Sequence, residues 1–253
     1  MAERRILITG ASSGIGAATA RAMAVPGAAI GVHCRGNRAG AEAVAAELRA
    51  AGATAVVLVG DLTDPAVPAR LVEEAAAALG GLDVLVANAG FADRTPVSAL
   101  TDEGFARSAD TVLWGFLRLA RAAGPHLLRA GEAGGLARMI AISSFVAHSF
   151  RTDTTVFPAS AAAKAGVEAL MRSLALEWAP HVTVNAVVPG YTQKDAGAHA
   201  ALDTAAWEAI LPRIPLRRLG TPADVAAAVA FLASPGASYI TGQAIHVSGG
   251  VVI

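Results

Sequence analysis

Thr9-Gly10-Ala11-Ser12-Ser13-Gly14-Ile15-Gly16 is the stretch that decides the fold. The apolar run Ile6-Leu7-Ile8 comes directly before it, and a helical pattern from Ala17 to Ala24 directly after. A strand therefore stops there and a helix starts. Glycines at 10, 14 and 16 remove the Cβ atoms that would hold a ligand's phosphates away from the backbone. The following helix aims its N-terminal N–H groups at the same spot. The pattern is that of a dinucleotide pyrophosphate seat lined by Gly10, Ser12, Ser13, Gly14, Ile15 and Gly16. Glycine-rich turns also join strands to helices that bind nothing, so the rest of the chain has to choose.

Outward from this turn, strand and helix patterns alternate. Ala28 to His33 predicts a second strand, followed by Arg35-Gly36-Asn37-Arg38 and an alanine-rich helix from about Gly40 to Ala51. Thr54 to Val59 predicts a third strand ending on Gly60-Asp61-Leu62, and Asp64-Pro65 reads as N-cap and first-turn proline of a helix to about Leu79. Leu82 to Ala87 predicts a fourth strand closed by Asn88-Ala89-Gly90. The second half continues with a helix from Thr101 to Arg121, a strand from Arg138 to Ile142, a loop from Ser143 to Pro158 and a helix from Ala159 to Trp178. A strand from Val182 to Val188 then runs into Pro189-Gly190. Between Tyr191 and Thr221 the pattern loosens, with Trp207, Ile210 and Leu211 on one face of a short helix, and this stretch reads as a lid over the strand ends. A helix from Pro222 to Leu232 and a strand from Ala244 to Val247 close the chain. The expectation is a single α/β domain over residues 1–253, a Rossmann-type doubly wound parallel sheet of about seven strands with six main helices on both faces.

Composition narrows the function classes. The 20 basic and 20 acidic residues cancel without forming a basic block, so the footprint needed to grip a nucleic-acid backbone or an anionic membrane is missing. With 54% hydrophobic and only 16% charged residues, a large buried fraction is expected, and an oligomer interface would hide part of the excess. The first apolar run is short and leads straight into the glycine turn, which does not read as a secretion signal. Cys34 is the only cysteine, so no internal disulfide can form and a cytoplasmic location is the expectation. No metal-ligand spacing stands out.

Taken together, Thr9 to Gly16, Asp61-Leu62, Asn88-Ala89-Gly90, Ile142-Ser143-Ser144, Lys164, Asn185-Ala186-Val187-Val188-Pro189-Gly190, Tyr239-Ile240-Thr241-Gly242-Gln243 and Gly249-Gly250 give a chain that resembles the short-chain dehydrogenases/reductases. Within that family it is similar to the 3-oxoacyl carrier protein reductase-like group, and the resemblance covers essentially the whole chain. It implies a nicotinamide dinucleotide held by the glycine turn, Asp61, Leu62, Asn88, Ala89, Gly90, Lys164, Pro189 and Gly190. Asp61 would hold the adenine amino group and Asn88 would brace the sheet beside the cofactor, although either could simply cap a neighbouring helix. At the end of the second strand an acidic residue favours a free ribose 2′-hydroxyl and a basic one a 2′-phosphate. Here Cys34 holds the acidic position, followed by Arg35 with Arg38 nearby, which favours NADP(H) over NAD(H). Ser13, where many NADP-using relatives carry a basic residue, leaves open that Arg35 is a solvated loop residue.

The resemblance breaks at catalysis. The family reduces a carbonyl with hydride from nicotinamide and a proton from a tyrosine four residues before the lysine. Counting back from Lys164 gives Ser160, and no tyrosine stands anywhere between Phe157 and Lys164. The asparagine of the family's proton relay falls at Val112 in Asp110-Thr111-Val112-Leu113-Trp114. Of four family catalytic positions, Ser144, which polarises the carbonyl, and Lys164, which clamps the ribose, remain. An aliphatic hydroxyl is a far weaker acid than a phenol of pKa about 10. A positioned general acid contributes about 10²- to 10⁴-fold. The loop from Ser144 to Ser160 offers His148, Ser149, Arg151, Asp153, Thr154 and Thr155, of which His148 has the most suitable acidity. Tyr191 is the other phenol expected near the nicotinamide, and it serves equally well as a pocket wall. Lys194, Asp195 and His199 follow in the lid.

Three functions fit this pattern. The first is an NADP(H)-dependent oxidoreductase acting on a carbonyl or hydroxyl of a small molecule with an atypical proton source. The second is a redox-silent, cofactor-binding homologue serving as sensor or as partner of an active reductase subunit. The third is an enzyme that keeps the pocket for non-redox chemistry. A homodimer or homotetramer, or a hetero-oligomer with an active relative, would pair the helices at Thr101 to Arg129 and Ala159 to Trp178.

Overall fold

The computed structural model describes residues 4–151, 155–193 and 209–253. In chain order the elements are β1 (Arg5–Ile8), α1 (Gly14–Met23), β2 (Ala29–Cys34), α2 (Arg38–Ala50), β3 (Thr54–Val59), α3 (Val67–Leu79) and β4 (Val84–Ala87). There follow α4 (Asp102–Ser108), a π-helical turn (Ala109–Trp114), α5 (Gly115–Glu132), β5 (Ala137–Ile142), α6 (Pro158–Glu177), β6 (Val182–Pro189), α7 (Pro222–Leu232) and β7 (Ala244–Val247). All seven strands are parallel, in the order β3-β2-β1-β4-β5-β6-β7. The strands read as continuous apolar runs because both faces of the sheet are covered. On one face Leu7, Leu85, Met139 and Val184 pack under α3, α5 and α6. On the other, Ile6, Ile8, Val86 and Ile140 pack under α1, α2 and α7. No helix among the described residues is long and apolar enough to cross a membrane.

The strand order reverses between β1 and β4, and at such a switch point the two loops leaving the strand ends diverge and open a crevice. The turn after β1 is the glycine stretch, and the loop after β4 begins Asn88-Ala89-Gly90. The fold therefore brings together at one crevice two motifs 78 residues apart in sequence.

Two helices depart most clearly from the sequence expectation. Helix α3 starts at Val67 because the Asp64 carboxylate is used in a local turn, accepting from the Ala66 N–H at 2.9 Å, so Asp64 is not its N-cap. The helix expected to stop at Arg121 continues to Glu132, since Phe116, Leu119, Ala120, Ala123 and Leu127 keep its inner face buried past Pro125. It is also interrupted by the π turn that carries Val112. Of the stretch expected as a lid, Lys194, Asp195, His199 and Trp207 lie outside the described residues, as do Asp153 and Thr154 of the loop before α6. The two ends of the 191–221 excursion are tied together: Gln193 N–H donates to the Gly220 carbonyl at 2.8 Å and Gly220 N–H to the Tyr191 carbonyl at 2.9 Å.

Candidate active site

The glycine turn is held from below by three polar side chains. Thr9 Oγ1 accepts from the backbone N–H of Asn88 and of Ala89, both at 3.0 Å. Asn88 Nδ2 donates to the carbonyls of Thr9 at 2.8 Å and Gly10 at 3.1 Å, so Asn88 does brace the crevice. The third is His33, which sequence reasoning missed. It is fully buried, its Nδ1 accepts from Gly10 N–H at 3.2 Å, and its Nε2 lies 3.0 Å from the Gly60 carbonyl. That pair of contacts requires a neutral ring with the proton on Nε2. Burial lowers its pKa, with the Gly60 hydrogen bond working the other way. A histidine one residue inside the carboxyl end of a strand was the available signal.

The turn's own geometry suits a phosphate. A Cβ on Gly16 would lie 2.3 Å from the Gly10 carbonyl oxygen and 2.6 Å from Asn88 Nδ2, so no side chain fits there. Gly14, at φ +55°, faces open space. The Ser13 side chain does not cap α1, and no acidic residue stands in its first turn, so the positive end of the helix dipole is left for a ligand. A backbone-walled hollow at an uncapped helix N-terminus fits an anionic pyrophosphate.

At the neighbouring strand ends, Asp61 Oδ1 accepts from Thr63 N–H at 3.0 Å and Thr63 Oγ1 at 2.9 Å. These bonds hold its carboxyl below the usual range, and the positive charge of Arg35 adds to the effect. Arg35 is exposed beyond the buried end of β2, whereas Arg38 turns to Glu42 at 3.7 Å. Leu62 is buried under the crevice. Pro189 ends β6, and Gly190 is required next to it because a Cβ would come within 2.7 Å of Ser248 Cα.

Helix α6 carries a buried polar stripe at one-turn spacing, Ser160, Lys164 and Glu168, continued outward by the exposed Arg172. Lys164 is buried and its Nζ donates to the Ile142 carbonyl, two residues before Ser144. Burial pushes its pKa down to about 8, and Glu168 partly offsets this. Gly90 lies close to both Lys164 and Val112: a Cβ on Gly90 would sit 3.6 Å from Lys164 Nζ and 3.4 Å from Val112 Cγ2. A cavity of about 10 Å³ is lined by Thr9, Leu62, Ala89, Val112 and Lys164, among others. It has room for one water, toward which Val112 offers only methyl groups. Ser144 Oγ accepts a long 3.4 Å bond from Val146 N–H, capping the short helical turn Phe145–Ala147.

Ser160 is placed beside these groups with its oxygen engaged. It is buried, and its Oγ accepts from the Asp93 N–H at 2.8 Å, which pins the loop after β4 to the start of α6. His148 and Tyr191 lie to the sides. His148 Nε2 is 2.8 Å from Glu168 Oε1, and its ring meets that of His246 edge-on at 4.6 Å. Glu168, also missed from sequence, accepts from Ser143 Oγ at 2.5 Å. Its signal was its place one turn after Lys164. Tyr191 lies against Phe145, ring centroids 4.5 Å apart, in an apolar cluster with Val146, Phe157, Val251 and Val252. Among the described residues no group of three or more His, Cys, Asp or Glu side chains could hold a metal ion.

Comparison with known proteins agrees with this architecture. A family model described as enoyl-(acyl carrier protein) reductase matches residues 10–252. The chain is 41% identical over 252 residues to cis-4-hydroxycyclohexanecarboxylate dehydrogenase of Sinomonas cyclohexanicum, covering 98% of this chain and 96% of that one. It superposes with TM-score 0.86 on a short chain dehydrogenase of Burkholderia cenocepacia in complex with NADP, at 32% identity and 98% and 97% coverage. It superposes with TM-score 0.89 on a 7α-hydroxysteroid dehydrogenase complexed with NADH and 7-oxo glycochenodeoxycholic acid, at 30% identity and 98% and 94% coverage. With the seven-stranded sheet, the glycine crevice and the Ser144–Lys164 arrangement in place, these likenesses show that the chain belongs to the short-chain dehydrogenase/reductase family of oxidoreductases.

Proposed function

We propose that the protein is an NADP(H)-dependent oxidoreductase that interconverts a carbonyl and a hydroxyl on a small molecule, with Lys164 supplying the proton that a tyrosine supplies elsewhere in the family. Ser160 and Val112 stand at the family's tyrosine and asparagine positions. The observation that carries the reading is the buried Lys164, its pKa near 8, lying with Val112 close to Gly90 beside the strand end that leads to Ser144. Gly10, Ser12, Ser13, Gly14, Ile15 and Gly16 would hold the pyrophosphate, Arg35 the ribose 2′-phosphate, and Asp61 with Leu62 the adenine. Asn88, Ala89, Gly90, Pro189 and Gly190 would wall the nicotinamide end.

A bound nicotinamide dinucleotide supplies hydride to the carbonyl carbon. Ser144 donates a hydrogen bond to the carbonyl oxygen and so polarises it, keeping its own proton. The Lys164 ammonium gives a proton to that oxygen as negative charge develops, leaving a hydroxyl product and a neutral amine, which solvent reprotonates. A pKa near 8 makes the ammonium a stronger acid than an ordinary lysine and keeps it mostly protonated at neutral pH. Ser160 is less suited to the task, because its hydroxyl is a weak acid. His148 is drawn toward Glu168, and Tyr191 packs as a wall.

The substrate class suggested by the relatives is an alicyclic alcohol or ketone. One acts, by its name, on a hydroxycyclohexanecarboxylate, and the other holds an oxo bile acid. The apolar wall of Phe145, Val146, Phe157 and Tyr191 suits such a ring. Association of copies through the α4–α5 column and α6 would cover Phe105, Trp114 and Leu176, which are exposed large apolar side chains.

One observation favours the redox-silent alternative: Ser160 is occupied by a structural bond and Val112 carries no polar atom. The deciding experiment follows NADPH and NADH oxidation against a panel of cyclic ketones in the wild type and in Ser160→Tyr with Val112→Asn. The oxidoreductase reading expects native NADPH turnover that declines above pH 8. NADPH binding without turnover in the wild type, with turnover created by the double change, would establish the silent reading instead.

A further inference from the structure

We propose that Arg94 makes this site select substrates that carry a carboxylate, placed across an apolar body from the reacting carbon. The inference rests on the substrate mouth lying beside Ser144 and Ser160, as the proposed function has it. Residue 94 is set there by the bond from the Asp93 N–H to Ser160 Oγ, which brings the loop after β4 against the first turn of α6. From that anchor the Arg94 guanidinium lies over the Phe157 ring, 5.5 Å from its centroid. Phe157 in turn belongs to the apolar cluster of Phe145, Val146 and Tyr191 that begins one residue after Ser144. The arrangement is an apolar wall with one cation held on its rim.

Among the described residues no acidic side chain pairs with Arg94. The adjacent carboxylate, Asp93, is committed elsewhere: its Oδ1 accepts from Thr95 N–H at 2.9 Å and its Oδ2 faces Arg107 at 3.8 Å. Stacking on an aromatic face fixes the plane of a guanidinium while leaving its N–H edge to hydrogen-bond, and that edge matches a carboxylate with two parallel bonds. A loop arginine held against a ring, half-buried and without a counter-ion among the described residues, is arranged to receive an anion from outside the chain.

The test measures binding, so that it does not depend on turnover. Cyclohexanecarboxylate and its neutral methyl ester are titrated into the full-length protein, with and without NADPH, and followed by ligand-observed NMR. The wild type is expected to bind the carboxylate roughly tenfold more tightly than the ester, and Arg94→Gln to remove that preference. Arg94→Lys should keep part of it, since the charge stays but the paired geometry goes. Thermal denaturation checks that each variant is folded. Equal binding of the two probes, binding of neither, or a preference that survives Arg94→Gln overturns the proposal. Carboxylate preference in a protein that never oxidises NADPH would sink the oxidoreductase reading and leave this one standing.

Discussion

The proposed phosphate seat and the proposed proton-transfer site sit at the same end of the same sheet, yet they are built from different material. The seat is a backbone object: Gly10, Gly14 and Gly16 set its shape, and Thr9, Asn88 and His33 hold that shape through hydrogen bonds to main-chain atoms. The proton-transfer site is a side-chain object, resting on what Lys164, Ser160, Ser144 and Val112 carry at their tips. A backbone site tolerates few changes before the chain itself collides. A side-chain site can exchange groups and keep its fold, which is what the proposed function assigns to Ser160 and Val112.

This contrast is broken most severely at Gly16. In Gly16→Val the new Cβ must occupy space 2.3 Å from the Gly10 carbonyl oxygen. Overpacking of this kind costs about 3 kcal/mol or more, equivalent to a loss of about 100-fold or greater in dinucleotide affinity if the turn yields. Gly14→Ala should be mild by comparison, because nothing lies within 4 Å and only the positive φ resists. That resistance is about 1–2 kcal/mol. Fluorescence titration with NADPH and thermal melts of both variants check the order, and a Gly16→Val protein that binds like wild type would remove the seat from this turn.

On the side-chain half, Lys164→Met should lower turnover by ~10²- to 10⁴-fold while the protein stays folded. The wild-type reduction rate should fall as pH rises through about 8, because the amine loses the proton it must donate. A flat rate between pH 7 and 9 would assign the proton to another group. A smaller effect separates the two dinucleotides: Arg35→Ser should weaken NADPH about tenfold and leave NADH nearly unchanged, since a single charge-assisted bond is lost. Equal losses for both would return Arg35 to an ordinary loop role.

The same contrast explains what the sequence made legible. The glycine spacing, the alternating apolar runs and the Asn88-Ala89-Gly90 loop are local patterns, and each marks a backbone event, so the sheet, its direction and the crevice could be anticipated. The serine at 160 and the valine at 112 were equally legible as residues, because spacing along a helix fixes which side chains share a face. Partners distant in sequence were not visible. Nothing in the residues around Ser160 shows that its hydroxyl meets the Asp93 N–H, 67 residues away, or that His148 reaches Glu168 across the loop. The start of α3 was misplaced for a related reason: Asp64 has the chemistry of an N-cap and also of a local turn, and only the path of the chain chooses between them.

His33 gives the smallest expected effect and links stability to the seat. Its Nδ1 accepts from Gly10 N–H, so the folded form needs a neutral ring, and burial lowers the folded pKa below its ordinary value near 6.5. The unfolded chain therefore takes up a proton as pH falls below about 6.5, while the folded chain resists it. Stability is fully present above that pH and declines below it by at most about 1.4 kcal/mol per pH unit, until the folded ring also titrates. In His33→Gln this component should vanish, although the variant starts from lower stability because it does not reproduce both contacts. Urea midpoints at pH 7.5 and 5.5 for both proteins isolate the effect, since the other five histidines are common to the two. If the wild type lost no more stability than the variant over this range, the neutral brace under Gly10 would be wrong. If NADPH affinity fell in step with the wild-type loss, the brace would be shown to shape the seat as well as to hold the sheet.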